Sequence, residues 1–119
     1  MNSELACGVI ERDRWCPVCG VYLDNVHLHH RRLRSQGGKD SYSNLIAIHP
    51  ACHQRVHASP AAAYEAGWMV PSWAQPEEWP LRLPDGRTIR LSPDGDVTSE
   101  TGATDGWRST DSSDGQAWV

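Results

Sequence analysis

The sequence predicts a small α+β domain held together by a metal staple, and three observations point there. At 119 residues the chain can bury only a limited apolar core. Cys16 and Cys19 form a Cys-x-x-Cys turn in "WCPVCG", and His49 and Cys52 repeat that spacing in "HPAC". Between the two pairs, "NVHLHHRR" and "NLIAI" read as strands on either side of the basic, glycine-containing loop "RRLRSQGGKDSYS".

Taken in order, residues 1–15 read as a short polar lead-in and residues 16–58 hold every candidate ligand. In the first strand His27 and His29 point one way while Leu28 and His30 point the other. Neighbouring histidines on opposite faces can do different chemistry: one binds metal while the other takes a proton. Pro50 then opens a helix through "ACHQRVHA". Residues 59–97 form an extension. Its helix runs over "SPAAAYEAG", with Ser59 as N-cap and a stop at Gly67. Strands follow in "GWMVPSW" and in "RTIRLSPDGDV", the latter turning at "PDG". From residue 98 to 119 the chain is acidic and rich in Ser, Thr, Asp and Gly, and is expected to be disordered.

A net charge of -4 argues against a nucleic-acid partner until the charge is located. Up to His57, Arg12, Arg14, Arg31, Arg32, Arg34, Lys39 and Arg55 outnumber Glu4, Glu11, Asp13, Asp24 and Asp40; the acidic excess lies beyond. No apolar run approaches the roughly 20 residues that span a bilayer, and Met1 to Ile10 has neither the basic start nor the apolar stretch of a secretion signal. The expected location is the cytoplasm of a bacterial host cell. A reducing compartment favours metal ligation by Cys16, Cys19 and Cys52 over disulfides and leaves Cys7 a free thiol.

A structural zinc needs four ligands, and the two knuckle pairs supply Cys16, Cys19, His49 and Cys52, a Cys3His set. His53 and His57 remain. Four apart on the helix after Pro50, they share a face and can chelate a second metal.

The order of these motifs, Cys-x-x-Cys, then "HLHHR", "GGKD", "SNLIAI", and a second knuckle fused to "CHQRVH", resembles the HNH endonuclease family. It is closest in character to the small bacteriophage and bacterial members. The resemblance covers roughly residues 14 to 58 and implies a ββα-metal (His-Me finger) core. It implies that His29, His53 and His57 hold a catalytic divalent metal (Mg²⁺, Mn²⁺, Ni²⁺ or Zn²⁺), that His30 is the general base, and that Asn44 orients it. Two positions depart from the family pattern: His49 replaces the first cysteine of the second knuckle, and His29 stands where many members have Asp.

Such a set suits phosphodiester hydrolysis, which needs a deprotonated water and positive charge at the phosphate. Neutral imidazole, with a reference pKa of about 6.5, can take the proton. Arg31, Arg32, Arg34 and Lys39 would track the DNA backbone without reading sequence. The competing function is a zinc-stapled DNA-binding module, or an accessory docking to phage packaging proteins, without catalysis. Blander roles compete at single positions too: His57 as a helix C-terminal cation, Asn44 as a turn residue, His27 as a half-exposed strand residue, and Trp68, Trp73 and Trp79 as packing.

Overall fold

The computed structural model describes residues 2–99. The acidic tail expected from residue 98 therefore lies, apart from Thr98 and Ser99, outside the described residues. The architecture is small α+β, and among the described residues no helix is long and apolar enough to cross a membrane.

The expected polar lead-in is instead a helix, α1 (Ser3–Asp13), begun by Asn2, whose side chain accepts from the Leu5 N–H at 2.8 Å. Gly8 in its middle weakens the intrinsic propensity. Packing overrides this, because a Cβ at Gly8 would come within 2.6 Å of the Tyr42 hydroxyl. At the end of α1, Arg12 pairs with Asp13 through two contacts of 2.8 and 3.0 Å. The pair then reaches Leu45 O and the Ala47 N–H, at 2.7 and 2.8 Å.

Those two groups lie on the outer edge of β2 (Leu45–Ile48), whose other edge pairs antiparallel with β1 (His27–His30). The register sets His27 against Ile48 and His30 against Leu45. Side chains of α1 thus satisfy backbone groups of an edge that would otherwise invite another strand. All four residues of β2 are buried, which explains its unbroken apolar run.

Next come α2 (Pro50–Ala58), opened by proline as expected, and α3 (Pro60–Ala66). Gly67 ends α3 in the left-handed region (φ 84°), while the Ser59 side chain makes no cap hydrogen bond. The strand expected in "GWMVPSW" does not form. The Met69 N–H returns to Ala63 O and the Val70 N–H to Arg31 O, so backbone groups that a ladder would use are already paired. The small β element is a three-stranded antiparallel sheet of β3 (Leu81–Arg82), β4 (Thr88–Leu91) and β5 (Val97–Ser99), in that order. Its second turn contains the expected "PDG", with the Gly95 N–H donating to Ser92 O. One buried cluster joins Val9, Leu45, Ile46, Ile48, Val56, Ala63, Leu81 and Leu91, so extension and ligand-bearing segment share a core.

Arg31 requires a correction. Expected on the DNA-facing loop, it is wholly buried. Its Nε donates to Gly67 O (2.8 Å), Nη1 to Ser43 O (3.0 Å) and Pro76 O (3.1 Å), and Nη2 to Trp79 O (2.6 Å). Two residues beyond His29, it follows the buried side of the strand, as alternation dictates. Burial lowers its pKa to about 9, still high enough to keep the guanidinium charged at neutral pH. We expect Arg31→Leu to leave several buried carbonyls unpaired and to destabilise the metal-loaded protein by about 3 kcal/mol in urea unfolding. Unchanged stability with a selective loss of DNA affinity would restore the phosphate-contact role.

Candidate functional site

The first knuckle closes where the Gly20 N–H donates to Cys16 O (2.7 Å) and the Cys16 N–H to Val21 O (2.9 Å), with Gly20 at φ 80°. This turn presents Cys16 and Cys19 together. His49 immediately precedes α2 and Cys52 lies in its first turn. The ligand atoms of all four residues fall within 4.8 Å of one another. His49 Nε2 sits 3.0 Å from Tyr22 O, to which it donates, and 3.4 Å from an Asp24 oxygen. That leaves Nδ1 as the ligand atom, 3.4 Å from Cys19 Sγ. Burial, together with the neighbouring sulfurs of Cys19 and Cys16, pushes the Cys52 thiol up to about 12. A thiol held up in this way ionises at neutral pH only with a cation beside it, and three sulfurs with one imidazole fit zinc in charge, softness and number. These four residues could hold a metal such as zinc.

A second cluster joins β1 to α2. The ligand atoms of His29, His53 and His57 also lie within 4.8 Å of one another. His53 and His57, four apart on α2, have ring centroids 5.0 Å apart, and His29 stands 5.0 and 5.5 Å from them. His29 is buried, with Nε2 2.8 Å from Trp68 O. Donation to that carbonyl fixes the tautomer and leaves the Nδ1 lone pair for a metal. Burial holds the His29 pKa down to about 4. His53 is lowered too, by burial and then by His57 and His27. Both therefore stay neutral near pH 7, the form in which imidazole ligates. His27 lies outside the trio, with Nδ1 3.1 Å from His53 Nδ1. His27, His53 and His57 line an open depression of about 460 Å³.

His30 belongs to neither cluster. Its Nε2 lies 2.7 Å from Asp40 Oδ1, and among the described residues its Nδ1 has no hydrogen-bond partner. The contact with His30 holds the Asp40 carboxyl below its ordinary pKa. Asn44 is buried and closes the loop: Oδ1 accepts from the Arg32 N–H (2.7 Å), and Nδ2 donates to Arg32 O (3.0 Å) and Lys39 O (2.9 Å). Of the expected phosphate contacts, Arg34 and Lys39 are exposed and Arg32 is half-buried, its Nε donating to Gln36 O. Asp40 escaped the sequence reading, although its place in "GGKD" marked it; the role of Trp68 O, a backbone atom, carried no sequence signal.

Residues 16–59 match the family model of the HNH endonucleases. No curated protein and no solved structure matches the chain. The matched stretch contains both clusters together with His30, Asp40 and Asn44. Structural zinc sites typically contribute roughly 10 to 16 kcal/mol of apparent binding energy. Cys16→Ser or Cys52→Ser should therefore unfold the domain, and elemental analysis of the wild type should find at least one tightly held zinc per chain. A folded, soluble Cys16→Ser protein without zinc would refute the structural role of the Cys3His cluster.

Proposed function

We propose that the protein is a metal-dependent HNH endonuclease of the ββα-metal type that hydrolyses DNA phosphodiester bonds, with zinc in the Cys3His cluster as a structural staple. The observation that carries this reading is the convergence of His29, His53 and His57, with the next residue along β1 from His29, His30, held by a carboxylate outside the trio. The family match over residues 16–59 supports it. A divalent cation held by His29, His53 and His57 would supply positive charge to the phosphate and to the leaving 3′ oxygen.

The remaining steps fall to the chain itself. His30, with Nε2 engaged by Asp40, uses Nδ1 to take a proton from water as its oxygen bonds to phosphorus. The bond from phosphorus to the 3′ oxygen breaks, and that oxygen leaves and takes a proton from solvent. Asn44 fixes the loop beside the base, the positioning role that the family assigns it. Arg32, Arg34 and Lys39 on that loop attract the DNA backbone, and Arg31 does not take part.

Supercoiled plasmid incubated with the protein and Mg²⁺, Mn²⁺, Ni²⁺ or Zn²⁺ in turn should be nicked or linearised. His30→Ala should keep metal content and DNA affinity while its single-turnover rate falls by roughly a hundred- to ten-thousand-fold. His53→Ala should lose metal from the histidine cluster. Near-wild-type cleavage by metal-loaded His30→Ala would place the base elsewhere, and no cleavage with any metal would favour the non-catalytic DNA-binding module. Lys39→Ala should make binding less salt-sensitive, shallowing the slope of log affinity against log salt by about one. An unchanged slope would remove Lys39 from the DNA-contacting surface.

A further inference from the structure

The nuclease reading gives His30 a task that only one of its two neutral tautomers performs. A histidine that is to accept a proton through Nδ1 must carry its own proton on Nε2. The group facing Nε2 therefore decides whether the base is available. That group is Asp40, 2.7 Å away. An ionised carboxylate offers acceptors and no donor, so it pairs with Nε2–H and excludes the Nδ1–H tautomer.

Asp40 is delivered to this place by a constrained loop. A Cβ at Gly38 would collide with Arg32 O, so only glycine permits the chain to fold back there. The Gly38 N–H then donates to Leu33 O at 2.9 Å. Asn44 ties Lys39 O, the carbonyl just before Asp40, to the backbone at Arg32, two residues beyond His30. Asp40 and His30 thus belong to one closed ring of backbone, which sets their separation before any substrate arrives.

We propose that Asp40 is the positioning residue for His30, fixing its ring orientation and its Nε2–H tautomer so that Nδ1 faces the attacking water as a base. This goes beyond the ligand and base assignments and rests on the nuclease reading above. An asparagine at position 40 separates it from a purely structural role. Asparagine nearly matches the size of Asp40 and can still hydrogen-bond Nε2, but through either its oxygen or its NH₂. The second mode stabilises the Nδ1–H tautomer, which cannot act as the base.

The test uses full-length, zinc-loaded protein at about pH 8, where an ordinary imidazole is neutral. Nitrogen-15 NMR of the histidine rings should report His30 as Nε2–H in the wild type and as a mixture in Asp40→Asn. Single-turnover plasmid cleavage at saturating DNA and metal should fall about ten- to a hundred-fold in Asp40→Asn and Asp40→Ala, the usual effect of removing such a support. DNA affinity and metal content should not change. Asp40→Glu, still acceptor-only, should recover part of the rate. Wild-type cleavage by folded, metal-loaded Asp40→Asn, or an Nδ1–H signal for His30 in the wild type, would overturn the proposal. If the wild type cuts no DNA with any metal, the nuclease reading and the catalytic role of Asp40 fall together. The ring spectrum then still decides the Asp40–His30 contact on its own.

Discussion

The buried guanidinium of Arg31 is the constraint on which the rest of the structure depends. A charge withdrawn from water is tolerated only when its hydrogen-bonding capacity is met. Here the acceptors are carbonyls from three places: Ser43 before β2, Gly67 at the end of α3, and Pro76 and Trp79 ahead of β3. No single piece of this chain can solvate the fork, so these segments must assemble around it. The consequence for the site lies two residues upstream. His29 donates to Trp68 O while Arg31 donates to Gly67 O, so consecutive carbonyls receive alternate side chains along one side of the β1 chain. The extension is therefore part of the histidine cluster's support, because it fixes the nitrogen that His29 offers to a metal.

The two candidate ligand clusters and their elements were legible because their information is local. Knuckle spacing, the His53–His57 interval, the alternation in "HLHH" and the proline before α2 are each written within a few residues, and the structure brings the named side chains together. What escaped was non-local. Helix α1 has weak intrinsic signals around Gly8 and is secured by Tyr42 and by the reach of Arg12 and Asp13 to β2. The apolar "WMV" looked like a strand because its composition suits one, yet its N–H groups are claimed by α3 and by Arg31 O. Arg31 was misassigned by its company: three arginines within four positions suggest one basic surface. Counting by twos from His29 separates the buried member from the others.

The two candidate metal centres are not independent, since α2 contributes to both. Cys52 points into the sulfur cluster and the next residue, His53, into the histidine cluster, with His57 one turn further on. Consecutive helical residues diverge by about 100°, so one short helix can serve two centres on different flanks. Occupied, the first centre would do more than stabilise. A metal bound there would pin His49 and Cys52 at the start of α2, and so set the helix's position against β1 and the approach of His53 and His57 to His29. A helix of nine residues has little stability of its own, and this anchoring is the natural source of its order.

The charges of the two candidate ligand sets differ in a way that suits the different tasks proposed for them. Three thiolates and an imidazole more than neutralise a divalent ion, giving an inert, closed site with no attraction for a phosphate. Three neutral imidazoles cancel none of a divalent ion's charge, so the full positive field remains for an anion in the adjoining open depression. A carboxylate at position 29 would reduce that field and would also need a donor in place of the Trp68 carbonyl, which meets His29 as a hydrogen-bond acceptor. The departure at position 29 and the course of the chain after α3 are thus matched: an acceptor stands where a buried histidine donates. In the proposed mechanism the negative charge beside His30 comes separately from Asp40, on the loop and outside the ligand set, where it would direct His30 without weakening the pull of a bound metal on phosphate.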